Sequence, residues 1–104
     1  MDLFKFDVII SEDALSMLDL HARFLAKVNQ NAAKKLVDQV LDDISSLSTL
    51  PERCPYYTNP FVPCNRYRMM ISNKRYLIIY EVSGETVYVD YVIDSRRNNK
   101  MLFS

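Results

Sequence analysis

Arg66, Arg68, Lys74, Arg75, Arg96, Arg97 and Lys100 crowd the last third of the chain, interleaved with Tyr67, Tyr76, Tyr80, Tyr88 and Tyr91. Guanidinium groups hold phosphate or carboxylate oxygens bidentately. Tyrosine rings can stack on bases, and their hydroxyls can donate a proton. Together they are the residues of a surface that meets an anionic macromolecule, and Arg66, Arg68, Arg96, Arg97 and Lys100 with Tyr88 are its candidates. A half-exposed sheet carries tyrosines on β-propensity alone. The adjacent cations Arg96 and Arg97 are a stronger signal, because they repel each other unless an anion lies between or beside them; Asp94 is one carboxylate that can answer.

Other chemistry is thinly represented. There is no G-x-S-x-G, no glycine-rich phosphate loop and no H-E-x-x-H in the sequence. His21, the single histidine, falls within a helical stretch with no second chemical residue near it in sequence, which suits a boundary position rather than a base. Cys54 and Cys64 follow no zinc-ligand spacing, and Cys64 lacks a second histidine to activate it as a nucleophile. No metal and no cofactor is expected.

The net charge of zero conceals a division. Residues 1–49 hold five cations against eight acids, a net of −3, and residues 50–104 hold eight against five, a net of +3. Hydrophobic residues form 49% of the 104, enough for one ordinary core and too few residues for a second domain. The acids of Asp2 and Asp7 interrupt any secretory apolar segment, and no run approaches a membrane span. The expectation is one domain over 1–104, in the cytoplasm, with reduced cysteines.

The elements that must position these residues follow from periodicity. Phe4, Phe6, Val8 and Ile10 alternate, so Leu3–Ile10 reads as a half-buried strand. Ser11 offers an N-cap, followed by Glu12 and Asp13 in the first turn and an apolar stripe of Leu15, Leu18, Ala22, Leu25 and Val28. Asn29-Gln30-Asn31 breaks the pattern. A second stripe then runs through Ala33, Leu36, Val37, Val40, Leu41, Ile44 and Leu47, with Lys34, Lys35, Asp38, Asp42 and Asp43 opposite. So short a break implies a helical hairpin.

Residues 51–65 hold all four prolines and both cysteines and form a loop, pinned by Tyr56 and Tyr57. Three strands follow. Arg66–Ser72 alternates; Arg75–Val82 is apolar on both faces and therefore central; Thr86–Ile93 sets Val87, Val89, Tyr91 and Ile93 against Tyr88, Asp90 and Val92. Asn73-Lys74 and Ser83-Gly84-Glu85 are the turns. The predicted fold is α+β, in the order β-α-α-β-β-β, with a helical hairpin packed on one face of an antiparallel sheet and the other face more open.

In this order and spacing the chain resembles the RelE/ParE superfamily, the toxins of type II toxin–antitoxin systems, also called plasmid stabilisation proteins. The likeness runs through Val8-Ile9-Ile10-Ser11, Ala14, Leu18, Asn29, Ala32-Ala33, Leu50-Pro51 to Pro55, and Tyr67-Arg68. It continues through Tyr76 to Val82, Val87-Tyr88-Val89 and Asp94-Ser95-Arg96-Arg97. The resemblance implies a growth-arresting toxin held in check by a cognate antitoxin in a hetero-oligomer.

It also implies one of two activities. The RelE-like branch is a ribosome-dependent mRNA endoribonuclease. Of its basic positions, Arg68 matches one and Arg97, beside Arg96, matches another, so these two are the catalytic candidates in that case. Met70 and Leu77 stand where that branch carries a lysine and an arginine, and Phe103 where it carries a tyrosine. Leucine cannot clamp a phosphate and phenylalanine cannot transfer a proton. The ParE-like branch inhibits DNA gyrase without being an enzyme, and the long hairpin leans that way. The expected partners are thus an antitoxin and either gyrase or the ribosome with its message, and no membrane. An inactive binding relic of the superfamily is the third reading.

Overall fold

Five consecutive buried residues with side chains on both faces, Tyr76–Tyr80, belong at the centre of a sheet covered on two sides, and the rest of the fold is arranged around them. A computed structural model describes residues 5–96. The elements are β1 (Asp7–Ile10), α1 (Glu12–Ala26), α2 (Gln30–Ser46), β2 (Arg68–Ser72), β3 (Tyr76–Ser83) and β4 (Thr86–Asp94), with a short 3-10 turn at Pro51–Arg53. The sheet order is β1-β4-β3-β2. The β2–β3 and β3–β4 pairs are antiparallel, as expected. β1 joins β4 in parallel, so the four-stranded sheet is mixed rather than wholly antiparallel. No hairpin turn links β1 to β4, so nothing local imposes the antiparallel direction on them. The expected start at Leu3 lies outside the described residues.

Both helices begin on a side-chain cap. Ser11 Oγ accepts the N–H of Ala14 at 3.0 Å and donates to the carbonyl of Asp90 at 3.2 Å, so one hydroxyl starts α1 and ties it to β4. Asn29, with extended φ, accepts the N–H of Ala32 at 3.0 Å and starts α2.

α2 buries most of its stripe: Ala33, Leu36, Val40, Ile44 and Leu47 are covered, whereas Val37 is half-buried and Leu41 is exposed. α1 is turned by part of a residue step. Ala14 and Leu18 are buried with Met17 and Leu25 partly so, whereas Leu15 is 46% and Val28 is 87% exposed. Asp43, assigned above to the solvent face of α2, instead accepts a 2.6 Å hydrogen bond from Ser72 Oγ and joins the helix to β2.

The first core lies between the helices and the sheet face carrying Tyr76, Ile78, Tyr80, Val87, Val89 and Val92. Each fully covered aliphatic side chain there contributes about 2 kcal/mol relative to exposure. The second sheet face was expected to stay open, and it does not. The proline-rich loop returns over it, with Tyr57 and Tyr67 buried on Leu77, Ile79 and Ile93 to make a second core. Backbone bonds from Tyr57 N to Tyr67 O (2.7 Å) and Met69 N to Pro55 O (3.0 Å) zip the loop to the start of β2.

The two cores are reconciled by a bulge. Ile79 pairs with Tyr91 but Tyr80 pairs with Val89, which leaves Asp90 as an extra residue in β4. The alternation read along Thr86–Ile93 therefore reverses part-way. Val92 joins Val87 and Val89 in the first core, while Ile93 and Tyr91 turn to the second.

Ser11→Ala removes both the cap and the tie to the bulge, and should cost about 1–2 kcal/mol, read as a lowered midpoint in thermal or urea unfolding.

Candidate functional site

Of the arginines proposed as one surface, Arg66, Arg68 and Arg96 are held apart by the sheet that carries them. Arg66 precedes β2 and crosses to the second face, where its Nε lies 2.9 Å from Glu81 Oε2 and its guanidinium rests 5.3 Å from the Tyr67 ring centroid. Arg68 lies opposite Tyr80, on the helix-facing side. Its Nη1 donates to the carbonyls of Cys54 (2.7 Å) and Glu52 (3.1 Å), its Nη2 is 3.8 Å from Glu52 Oε2, and its guanidinium packs 4.1 Å from the Tyr56 ring centroid. With a side chain only 15% exposed, Arg68 fastens the loop to β2. The hydroxyl of Tyr80 below it donates to Pro51 O at 2.5 Å and does the same work from the sheet side. Burial, then the adjacent Cys54 thiol, push that hydroxyl's pKa above its ordinary value.

Arg96 stands at the other end of β3, which from Tyr76 to Glu81 spans about 17 Å. Its Nη2 is 3.1 Å and its Nε 3.3 Å from the two carboxylate oxygens of Asp94, the answer foreseen for one cation of the Arg96–Arg97 pair. Burial alone would raise the Asp94 pKa. Hydrogen bonds from the side chain and backbone of Arg96, with the charges of Arg96 and Arg75, outweigh it and hold the carboxyl below the usual range. Tyr88 is 38% exposed, beside Glu81 in register, and not near Arg96. Arg97 and Lys100 lie outside the described residues, as does Phe103. The six candidates therefore do not form a single described surface.

Two features were not foreseen. One is the polar cluster around the bulge. The Asp90 carboxyl has a raised pKa, chiefly through burial, with the charges of Glu81 and Asp13 adding to it and the Tyr67 hydroxyl and Arg66 opposing. The Tyr67 hydroxyl is raised as well, by burial first and then by the charge of Asp90. An acid placed by a bulge leaves no mark in a strand pattern.

The other feature is an open groove of about 180 Å³ where the end of α1 meets the Tyr76 end of the sheet. Phe24, Leu25 and Val28 form its apolar wall, and Arg75 and Arg96 its cationic one. His21 lies in its floor. Its Nε2 donates to Val92 O at 2.9 Å, and its ring meets that of Tyr76 at 5.1 Å. The Tyr76 ring also meets Arg75, whose guanidinium is 5.3 Å from the centroid and whose Nη2 donates to the Tyr76 hydroxyl at 3.2 Å. Phe24 continues outward as a stripe with Leu20 and Val28, all more than half exposed, and Lys27 Nζ sits 4.9 Å from the Phe24 centroid. Among the described residues no three His, Cys, Asp or Glu side chains are grouped to share a metal ion, and no helix is long and apolar enough to cross a membrane. Cys54 and Cys64 are free thiols.

The model of the ParE toxin of type II toxin–antitoxin systems (parDE) matches residues 8–99. The chain belongs to the ParE toxin family. Among solved structures, the chromosomal ParDE toxin–antitoxin system from P. aeruginosa shares the fold at a TM-score of 0.71 and 13% identity, covering 88% of this chain and 97% of that one. No curated protein sequence matches significantly. As a ParE-family toxin, the chain carries the hairpin-on-sheet architecture that the superfamily resemblance implied, and the system to which such toxins belong supplies an antitoxin partner.

Two outcomes check the roles given to these polar groups. A folded-state pKa raised above the unfolded value contributes stability that is present at low pH and lost as pH rises through the folded pKa. Asp90→Asn should therefore raise the melting temperature at neutral pH, and the gain should vanish below about pH 4, where the unfolded carboxyl is itself protonated. Arg68→Ala should lower stability by about 2 kcal/mol in urea unfolding, because it strips charged donors from two loop carbonyls.

Proposed function

We propose that this chain is the growth-arresting member of a toxin–antitoxin pair, acting in the cytoplasm and neutralised by a cognate antitoxin. We further propose that it works by binding a macromolecular target such as DNA gyrase rather than by cutting RNA. The observation that favours inhibition over cleavage is the closed second face of the sheet. Metal-free RNA cleavage needs a base, an acid and cations converging on one phosphate. The face reached by Met69, Leu77 and Tyr91 is an apolar core under Tyr57 and Tyr67. Leu77, at the position where the ribonuclease branch carries an arginine, is 8% exposed within it. Arg68, the other matched position described, turns to the loop carbonyls on the helix-facing side.

A binding toxin needs exposed complementary surface instead, and the α1 stripe with its groove offers apolar and cationic groups side by side. Inducing the full chain in cells without antitoxin should halt growth and accumulate gyrase-linked DNA breaks, while ribosome-bound messages stay intact. Messages cut during translation would put the chain with the ribonucleases. Unchanged growth would leave it a binding relic.

A further inference from the structure

We infer that the uncovered end of the second sheet face docks a basic segment of the target protein, one that sets an arginine or lysine beside an apolar side chain. This rests on the target-binding reading above and gives that contact a place and a chemistry. The lid of Tyr57, Val62 and Tyr67 lies over Leu77, Ile79 and Ile93 and stops short of the end of β3. Residues paired across a sheet project to the same face. Ile9, Tyr88 and Glu81 therefore form one row, and Asp7, Thr86 and Ser83 form the next. Val8, Val87 and Val89 alternate with them and point into the first core, so both rows lie on the face turned away from the helices. Ile9 is 50% and Tyr88 38% exposed at the centre of this area, and Asp7 at its margin is exposed as well.

The charge around this apolar centre is negative. Asp7, Asp13, Glu81, Glu85 and Asp90 lie on or beside the two rows against Lys5 and Arg66, five acids to two cations. Glu81 already takes up Arg66, at 2.9 Å. Burial raises the Asp90 carboxyl pKa first, and the charges of Glu81 and Asp13 raise it further, so these acids act on one another across the bulge. A field of this sign repels phosphate, which sets aside nucleic acid although Tyr88 stood among its candidates in the sequence. A metal ion is poorly served, because among the described residues no three such side chains are grouped to share one. A guanidinium or ammonium group from a protein suits both parts of the surface. It pairs with the exposed carboxylates and lies over the Tyr88 ring, while an apolar neighbour covers Ile9.

Charge reversal tests the place. Asp7→Lys combined with Glu85→Lys is compared with Asp38→Lys combined with Asp42→Lys, which makes the same change of net charge on the exposed side of α2. Tyr88→Ala and Tyr88→Phe test the ring. Far-ultraviolet dichroism and melting establish that each full-length variant is folded. Each is induced in cells without antitoxin, and each is titrated calorimetrically with purified DNA gyrase. The Asp7 and Glu85 pair should relieve growth arrest and weaken gyrase binding about tenfold or more, and Tyr88→Ala should weaken it about tenfold. Tyr88→Phe and the α2 pair should stay within about threefold of the unaltered chain. Arrest and binding unchanged by the Asp7 and Glu85 pair would overturn this face as the docking place. Equal losses from the two lysine pairs would overturn its charge as the determinant. Arrest without gyrase binding would replace gyrase by another target, and the growth comparison would then decide the face by itself. An unaltered chain that leaves growth untouched would remove the toxin reading beneath the inference, a result distinct from the others.

Discussion

Two neighbouring carbonyls on β4 hold the layers together. Val89 O accepts the backbone N–H of Ser11 at 2.9 Å, and Asp90 O accepts its hydroxyl. They lie where β4 carries one residue more than β3 can match. Side chains along a strand alternate strictly, so a single added residue transfers everything beyond it to the opposite face. That transfer lets Val87, Val89 and Val92 all meet the helices while Ile93 and Tyr91 meet the loop. An unbulged β4 would send Tyr91 under the helices and leave Val92 beneath Tyr57 and Tyr67, and neither core has a cavity of that shape to offer. The same Ser11 caps α1, so helix start, strand pairing and the division of the two cores share one set of atoms.

How much of this is legible in the residues varies with the range of the cause. The cap at Ser11, most of the α2 stripe, the central position of β3 and the turns are local, and each is legible in the residues themselves. The bulge is not, because Val87, Val89, Tyr91 and Ile93 alternate without interruption and only the pairing partner reveals the skipped position. On α1, Leu15 and Val28 satisfy helical spacing as well as Ala14 and His21 do. Contact with the sheet selected the small alanine and a histidine that can reach Val92 O, and hydrophobicity alone does not rank those first. The second core escaped notice because its lid is a loop whose return path is set by Tyr57 and Met69 backbone bonds to partners remote in sequence.

The arginines show the same limit in electrostatic form. A sequence lists cations one by one, and a cluster of them suggests a field. Folding brings Glu81 to Arg66, Glu52 and two carbonyls to Arg68, and Asp94 to Arg96. Much of the positive charge of the C-terminal half is thereby matched by carboxylates or carbonyls at loop and strand ends, with Arg68 alone of the three largely covered. Near the end of α1, Arg75 from that half and Lys27 from the helix border exposed apolar side chains. The ParE family assignment and the fold agree with the resemblance read from motif order, although Arg66, Arg68 and Arg96 do not stand on a common surface.

The parallel pairing of β1 has a temporal side. Its partner residues are separated by 79 positions, Asp7 from Thr86 through Ile10 from Val89, so the first strand to leave the ribosome must wait for the last. At about 5–20 residues per second that interval is several seconds, during which β1 and the apolar underside of α1 have no sheet to cover them. Long-range closure of this kind slows folding and defers it towards the end of synthesis. A protein built in this way reaches its finished form only once the strand farthest along the chain has been translated.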